Sequence, residues 1–261
     1  MKPLLYFSYG MTKSGSTLAY MLVRTALVAA GMAQPRLISA ANIGGKRINM
    51  VEHLTRADAK ELLDEARATG HMIVLKTHTR PDDPVVVDLL QSGLAIGHAV
   101  CRDPRDMVHS MLDHARHSRR LGQAEFTEFA TFDAAIDNIR HQTNSLTAWL
   151  RLPNILSLCF EELAFETPQA ARRILGQLGL RMNPGHLAEL VLESGQTNKN
   201  RGKQARHIGE MPADLARSLG AEFAPLIDTL ITHRAKLPQD GAVTLPPPAS
   251  LRISQISEPA L

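Results

Sequence analysis

A chain of 261 residues is long enough to bury the core of one α/β domain or of two small domains. Hydrophobic residues make up 44% of it and charged residues 21%, which are ordinary values for a globular protein. The formal net charge of +3 comes without a run of lysine and arginine or a basic stripe interleaved with aromatic residues, which argues against a nucleic-acid partner and still suits a small anionic ligand.

Cysteine usage and the N-terminal sequence indicate the cellular environment. The two cysteines, Cys101 and Cys159, lie in apolar runs, so we expect buried free thiols rather than a disulfide framework or a metal site. The N-terminus lacks the regions of a signal peptide, and no apolar run is long enough to span a membrane. A cytoplasmic location without a membrane-spanning segment is therefore predicted.

The first predicted strand begins at Leu4 and runs into a short polar turn, after which a helix is predicted from Ser16 to Ala30. The turn and the start of this helix contain Lys13, Ser14, Gly15, Ser16 and Thr17. Backbone N–H groups at a helix N-terminus are unpaired and carry the positive end of the helix dipole, so this pattern is typical of a phosphate-binding loop. An ordinary strand–turn–helix connection with a chance lysine and glycine is the alternative.

The turn is similar to the Walker A loop but differs from it in residue order. In Walker A the lysine directly follows the second glycine, whereas Lys13 precedes Gly15 by two residues. This difference weakens an interpretation as a conventional ATPase or GTPase.

Further along the chain, apolar runs of strand length alternate with helical patterns. Residues 34–51 show neither period and are predicted as an irregular connection. Helices are predicted over 55–70, 84–91, from 104 onward, over 132–150, 167–179 and 184–193, and strands over 71–76, 94–101 and 155–160. A loop over 194–210 and two helices between 212 and 234 complete a domain predicted as residues 1–237, and the proline-rich residues 238–261 are predicted as an extended or disordered tail.

Four buried strands that alternate with amphipathic helices predict a three-layer α/β/α fold with a central parallel sheet. Ligands of such sheets bind outside the carboxyl ends of the strands. Three polar segments follow predicted strands here, at residues 13–17, 76–78 and 102–105. We therefore expect them to converge on one site.

These three segments resemble, in order, the motifs of the sulfotransferases that use 3′-phosphoadenosine 5′-phosphosulfate (PAPS) as sulfuryl donor and release 3′-phosphoadenosine 5′-phosphate (PAP). Residues 12–18 resemble the 5′-phosphosulfate loop, P-K-S-G-T-T-W. Residues 76–78 match the family's K-T-H at a strand end. Arg102-Asp103-Pro104 resembles the start of the 3′-phosphate motif R-N-P-x-D-x-x-x-S, and Ser110 follows Arg102 at the required interval of eight residues.

Two further segments resemble the family less closely. Phe160-Glu161-Glu162-Leu163 is similar to Y-E-D-L, and Arg201-Gly202-Lys203 is similar, in altered order, to the R-K-G loop that closes over the 3′-phosphate. Leu18 stands where the family has a tryptophan, and Phe160 lacks the hydroxyl of the family's tyrosine. Neither an adenine-stacking residue nor the family's dimer motif can be recognised, so the adenine contacts stay open and the chain is expected to be either a monomer or a homodimer.

The resemblance implies that the α/β fold is P-loop NTPase-like and that the donor site has two anion-binding parts. The residues expected to bind the donor are Lys13, Ser14, Gly15, Ser16, Thr17, Arg102, Ser110, Arg201, Gly202 and Lys203. The chemistry requires the same residue types, because a donor with two separated phosphate groups needs two anion clamps and a guanidinium fork matches phosphate oxygens.

Three residues are expected to act in catalysis. Sulfuryl transfer, like phosphoryl transfer, depends chiefly on positioning and on stabilising charge on the equatorial and leaving oxygens. Lys13 is predicted to face the bridging oxygen of the leaving phosphate, and His78 is the candidate general base because histidine titrates near working pH. Lys76 points to the same side as His78 and is expected to assist at the transferred group. The resemblance implies the same roles.

Other polar and aromatic residues are assigned structural roles. Asp106 is expected to stabilise the N-terminus of its helix, and Trp149 to pack in the core. His109, His114 and His117 are expected at solvated helix positions, and no metal site is predicted because no carboxylate or cysteine completes a set.

We therefore expect a PAPS-dependent sulfotransferase, without a metal, that moves a sulfuryl group onto a hydroxyl or amine of a small-molecule acceptor. One alternative is a P-loop nucleotide or small-molecule kinase that uses ATP and Mg²⁺, and another is a protein that binds PAPS without turnover. The sequence does not identify the acceptor, although residues 34–51, 80–92 and 117–131 are candidate loops around its pocket.

Overall fold

The computed structural model describes residues 2–35, 42–43, 46–47, 49–194 and 205–228. Its elements in chain order are β1 (Leu5–Gly10), α1 (Ser16–Ala29), β2 (Asn42–Ile43), β3 (Lys46–Arg47), α2 (Arg56–Thr69), β4 (Ile73–Thr77), α3 (Pro84–Gln91), β5 (Ala95–Cys101), α4 (Pro104–Arg120), α5 (Phe132–Leu150), β6 (Ile155–Cys159), α6 (Phe160–Phe165), α7 (Thr167–Leu178), α8 (Pro184–Glu193), α9 (His207–Glu210) and α10 (Ala213–Glu222). The predicted tail over 238–261 lies outside the described residues.

A four-stranded sheet in the order β4-β1-β5-β6 forms the centre of the fold, and all of its strand pairs are parallel. β1 lies between β4 and β5, with Leu5 opposite both Ile73 and Ala95. The carboxyl ends of these three strands therefore lie side by side, as the sequence predicted. The predicted central parallel sheet is confirmed.

Helices cover both faces of the sheet, which makes the predicted three layers. The face that carries Tyr6 packs against α1, α7 and α8, and the face that carries Phe7 packs against α2, α3, α4, α5 and α10. Successive residues of a strand point to opposite faces, so β1 contributes to both layers. Trp149 on α5 is 1% exposed and stacks on Tyr9 with ring centroids 5.2 Å apart, which confirms its predicted core role. None of the described helices is long and apolar enough to cross a membrane.

Capping residues explain where several helices begin and end. Thr55 forms a capping box at the start of α2, and Asp83 and Asp103 cap α3 and α4, each of which begins with a proline. Gly70 and Gly179 follow α2 and α7 in the left-handed conformation that ends many helices. The sequence patterns placed these boundaries correctly to within a residue or two.

Three short segments differ from the sequence expectation. Residues 42–47, predicted as part of an irregular connection, contain the antiparallel pair β2–β3. Phe160 begins α6 instead of ending a strand, and the predicted loop up to residue 210 contains the short helix α9, which is broken at Ile208 and Gly209. Elements of this length are too short to display a hydrophobic period. A second helix predicted after residue 212 begins at residue 224.

The two buried cysteines and the buried histidine of the sheet are uncharged. Cys101 and Cys159 are free and buried, as predicted, and burial raises the pKa of both thiols. His98 lies 3.1 Å from the Tyr6 hydroxyl and 2.9 Å from the Ser8 hydroxyl, and burial lowers the pKa of its imidazole to about 3. These groups therefore support the sheet without placing charge in the core.

Candidate active site

The turn between β1 and α1 has the backbone conformation of an anion-binding loop. Gly15 adopts φ 89°, in the left-handed region that favours glycine. Ser14 donates to the carbonyl oxygen of Met11 from its backbone N–H at 3.1 Å and from its hydroxyl at 2.6 Å, which closes the turn. None of the described residues accepts a hydrogen bond from the backbone N–H groups of Gly15, Ser16 and Thr17. These donors can therefore bind an anion at the N-terminus of α1.

Gly10, the last residue of β1, lets α1 begin close to the sheet. A Cβ added at this position would lie 2.6 Å from the Cβ of Ser16 and 3.2 Å from the Cβ of Val100. Both neighbouring atoms are fixed to backbone, so neither can move away without shifting an element. The close approach of β1 and α1 therefore requires glycine at this position.

Substitution of Gly10 by alanine is expected to destabilise the protein by about 1–3 kcal/mol, because overpacking forces the backbone apart. The measurement is the free energy of unfolding in urea. Gly176→Ala is the matched control, since an added Cβ there meets no atom within 4 Å on an exposed part of α7. Alanine should stabilise that helix by up to about 1 kcal/mol. Equal stability of Gly10→Ala and the wild type would contradict the close packing.

The ammonium group of Lys13 lies beside α4 and the loop that follows it. Its Nζ is 3.1 Å from Nδ1 of His114 and 5.4 Å from the centre of the Phe126 ring. Burial and the Arg102 guanidinium lower the pKa of Lys13 to about 8, against an opposing effect of the Asp113 carboxylate. Lys13 is therefore a cation at neutral pH that loses its charge more easily than an ordinary lysine.

The carboxyl end of β4 brings Lys76 to the first turn of α1. Lys76 is buried, and its Nζ donates a hydrogen bond to the Thr17 hydroxyl at 3.0 Å. This contact places a second lysine amine beside the N-terminus of α1, on the opposite side of β1 from Arg102 in the strand order.

His78 follows β4 and is anchored to the end of β1. Its Nδ1 lies 2.6 Å from the carbonyl oxygen of Gly10. A carbonyl oxygen only accepts hydrogen bonds, so Nδ1 carries the proton and Nε2 of the neutral ring keeps its lone pair. Burial, followed by the charge of Lys76, lowers the pKa of His78 to about 4, while the Gly10 carbonyl opposes this shift. At neutral pH His78 is therefore an oriented imidazole with a basic Nε2.

Arg102 directly follows β5, and its guanidinium lies against the loop that contains Lys13. Its Nη1 donates to the carbonyl oxygen of Lys13 at 3.3 Å, and its Cζ lies 3.8 Å from the centre of the Phe160 ring. Its Nη2 is 3.8 Å from Oδ2 of Asp106. Arg102 is 4% exposed, so this stacked geometry holds a positive charge in a fixed orientation next to Lys13.

A comparison with known families decides the assignment. The sequence profile of the sulfotransferase domain matches residues 7–219, which is most of the chain. The chain belongs to the sulfotransferase family. It is thus an enzyme whose family transfers sulfuryl groups, and the predicted resemblance is confirmed. A search of curated proteins finds no match.

Solved structures show the fold of this sulfotransferase. Mouse sulfotransferase SULT7A1, solved with PAP, is 16% identical with a TM-score of 0.61, over 90% of this chain and 87% of that chain. Retinol dehydratase, solved with androsterone and the inactive cofactor PAP, is 16% identical with a TM-score of 0.53, over 90% of this chain and 82% of that chain. These likenesses confirm the predicted P-loop NTPase-like α/β fold.

The three predicted motif segments of the sulfotransferase meet at one edge of its sheet. Arg102 bonds to the backbone of Lys13, Lys76 bonds to Thr17, and His78 lies against Gly10. Ser110 is buried on α4, two turns beyond Arg102. Arg201, Gly202 and Lys203, which the sequence also assigned to the donor site, lie outside the described residues.

The expectation of three solvated histidines on α4 is wrong for two of them. His109 is buried and meets Phe132 edge to face, with centroids 5.7 Å apart, and His114 contacts Lys13. His117 is exposed, as predicted. The physical reason is that Phe132 of α5 packs on His109, while Lys13 and Phe126, from the loops before α1 and after α4, pack on His114.

Asp106 does more than stabilise the N-terminus of α4. Its Oδ1 accepts hydrogen bonds from the backbone N–H of His207 at 3.1 Å and from Nδ1 of that ring at 2.8 Å. Arg206 donates to Oδ2 of Asp113 at 2.8 Å. These bonds tie the segment before α10 to α4, next to Arg102. The partners are far apart in sequence, so no local pattern could have paired them.

The sequence also did not predict that α5 would hydrogen-bond to the turn between β1 and α1. The Gln142 Oε1 atom accepts a hydrogen bond from the backbone N–H of Thr12, and its amide nitrogen donates to Asn138. Gln142 therefore fixes the start of the anion-binding turn.

Within the described part of the chain, no cluster of three or more histidine, cysteine, aspartate or glutamate residues is placed to hold a metal ion.

Proposed function

We propose that this sulfotransferase takes PAPS as its donor and transfers the sulfuryl group to a hydroxyl or amine of a small-molecule acceptor. The observation that carries the proposal is the buried Arg102 guanidinium directly against the loop of Lys13. A donor with a 5′-phosphosulfate and a separate 3′-phosphate needs two neighbouring cationic sites of this kind. The N–H groups at the start of α1, for which the described residues provide no acceptor, suit the same ligand.

The residues divide into two binding sets. The 5′-phosphosulfate would be held by Lys13 and by the turn residues Ser14, Gly15, Ser16 and Thr17. The 3′-phosphate would be held by Arg102 and Ser110, with Arg201, Gly202 and Lys203 added on the strength of the sequence motif. When bound, the donor supplies an activated sulfuryl group whose bond to the 5′-phosphate oxygen breaks as the bond to the acceptor forms.

The catalytic residues act on protons and charge. His78 removes the proton of the acceptor through Nε2, because its Nδ1 is held by the Gly10 carbonyl. Lys13 stabilises the negative charge that develops on the leaving phosphate oxygen, and Lys76 stabilises charge on the transferred group. These roles require a neutral His78 and a cationic Lys13, which their lowered pKa values of about 4 and about 8 permit at neutral pH.

The acceptor is proposed by analogy with related enzymes. Structures of retinol dehydratase contain androsterone in one case and retinol in another, each with PAP. A small organic molecule is therefore the acceptor class that we propose here. A cytoplasmic location and a monomeric or homodimeric state remain predictions from the sequence. The kinase alternative is disfavoured by the family assignment and by the order of Lys13 and Gly15.

Calorimetric titration of the purified protein with PAP, and separately with ATP and Mg²⁺, tests the donor. PAP is expected to bind without a metal, and adenosine 5′-phosphate, which lacks the 3′-phosphate, should bind about 100-fold more weakly because a charge-assisted fork is lost. Tighter binding of ATP with Mg²⁺ than of PAP would favour the kinase alternative. PAP binding with no turnover of PAPS on any acceptor would favour the non-catalytic alternative.

A further inference from the structure

Phe126, in the loop between α4 and α5, has an unusual backbone conformation. Its φ of 64° lies in the left-handed region, which is unfavourable for a bulky aromatic residue. The Phe126 ring meets the His114 ring at 63° with centroids 4.5 Å apart and packs on Phe129 at 5.8 Å. Strained residues of this kind cluster at functional sites, where the surrounding packing sustains them. The strain here places an aromatic ring beside Lys13.

His114 offers Lys13 a hydrogen-bond acceptor. The Lys13 ammonium has only donors, so Nδ1 of His114, 3.1 Å away, must be the acceptor and Nε2 must carry the ring proton. The neutral ring that this requires agrees with the pKa of His114, which burial and the charge of Lys13 lower to about 4. The imidazole can therefore accept this hydrogen bond throughout the neutral pH range.

Phe126 adds a second favourable contact to the same ammonium. The Lys13 Nζ lies 5.4 Å from the centre of the ring, within the range of about 6 Å over which a cation interacts with an aromatic face. Lys13 itself has φ 69°, which makes it a second non-glycine residue in the left-handed region. Lys13 and Phe126, which both adopt the left-handed conformation, therefore meet at the Lys13 ammonium group although they are far apart in the sequence.

We propose that His114 and Phe126 are positioning residues for Lys13, which orient its ammonium group before the donor binds and favour its protonated form. The proposal rests on the proposed function, in which Lys13 acts at the leaving phosphate. A lysine side chain loses much rotamer freedom when it is ordered. The contacts with His114 and Phe126 impose that order in advance, so that less of it has to be imposed in the transition state.

Of the charges that face this pair, Arg102 and Asp113 must stay unchanged in a test. Arg102, from the end of β5, lowers the pKa of Lys13, and Asp113, on α4, raises it. His117, one turn beyond His114, lowers the pKa of His114. Variants at His114 should therefore remove only the acceptor for Lys13.

The experiment measures the titration of Lys13 in the donor-free protein, by the pH dependence of its acetylation in competitive labelling read by mass spectrometry. His114→Leu removes the acceptor and keeps apolar bulk, whereas His114→Asn keeps an acceptor near the position of Nδ1. His117→Leu is the control for loss of an exposed histidine from the same helix. His114→Leu should lower the labelling midpoint of Lys13 by about one pH unit, because a hydrogen bond to the charged form favours that form.

Turnover provides a second readout. His114→Leu should lower kcat about tenfold, with PAP affinity changed less, since misplaced catalytic groups affect the transition state most. His114→Asn should recover most of both effects, and His117→Leu should show neither. An unchanged labelling midpoint in His114→Leu would overturn the proposal, and so would an Asn variant as impaired as the Leu variant.

If His114→Leu does not fold, Phe126→Leu replaces it as the test variant. Phe126→Leu should shift the labelling midpoint of Lys13 in the same direction by a smaller amount. An unchanged midpoint in Phe126→Leu would count against the proposal. The titration needs no donor, so a shifted midpoint supports the pairing even if the wild type fails to use PAPS. That failure would count only against the proposed donor.

Discussion

Replacement of Arg102 by alanine is expected to weaken PAP binding by about two to three orders of magnitude, which is the loss of one charge-assisted fork on a phosphate. The effect should be large because the guanidinium is already oriented by the Phe160 ring and by Asp106, so little of its binding energy is spent on ordering it. The measurement is the dissociation constant of PAP by calorimetry. Adenosine 5′-phosphate should bind wild type and variant almost equally, because it lacks the group that Arg102 would contact.

A neighbouring arginine supplies the control for this experiment. Arg105 lies in the first turn of α4, three residues after Arg102, and its guanidinium is paired with Asp103 at 2.7 Å. Arg105→Ala should change PAP affinity by no more than about twofold, as expected for a partly exposed ion pair away from the ligand. Thermal unfolding of both variants separates loss of binding from loss of fold. Similar loss of PAP affinity in both variants would mean that Arg102 has no special role at the 3′-phosphate.

Long periodic elements of this fold could be predicted from the sequence because local physics determines their ends. Proline has a fixed φ and no N–H, so Pro84, Pro104 and Pro184 each begin a helix where the sequence placed one. Gly70 and Gly179 end helices because they enter the left-handed region without strain. The pair β2–β3 could not be predicted, since strands of two residues carry no usable period.

The meeting of Lys13, His78 and Arg102 could also be predicted, for a topological reason. Each residue follows a strand of one parallel sheet, and the carboxyl ends of such strands share an edge. The sequence did not predict the partners that orient these residues. His114 reaches Lys13 because α4 turns this side of the helix towards the loop, and its hydropathy pattern specifies only the apolar side. Contacts between distant segments, such as Asp106 with His207, leave no local signal at all.

His78→Ala is expected to lower kcat by about 10²–10⁴-fold, the usual contribution of a general base, and to leave PAP affinity unchanged. The division follows from the geometry, in which Nδ1 is held by Gly10 and Nε2 remains to serve the acceptor. Turnover of PAPS and calorimetric binding of PAP should be measured on the same preparation. His71→Ala is the control, since His71 precedes the opposite end of the same strand. Equal loss of PAP binding in His78→Ala and Arg102→Ala would contradict the separate roles.

The role of His78 also determines the acid side of the pH profile of kcat/KM, which reports groups of the free enzyme. His78 must be neutral to act, and its pKa is lowered to about 4, so activity should persist down to that pH and fall as the pH drops through it. Lys13 must be charged, and its pKa is lowered to about 8, so activity should fall as the pH rises through that value. The His78→Ala variant should lose the acid limb and keep the alkaline one. This variant has no imidazole at position 78. If its acid limb persists, that limb must come from another group, and that group would be the base instead of His78.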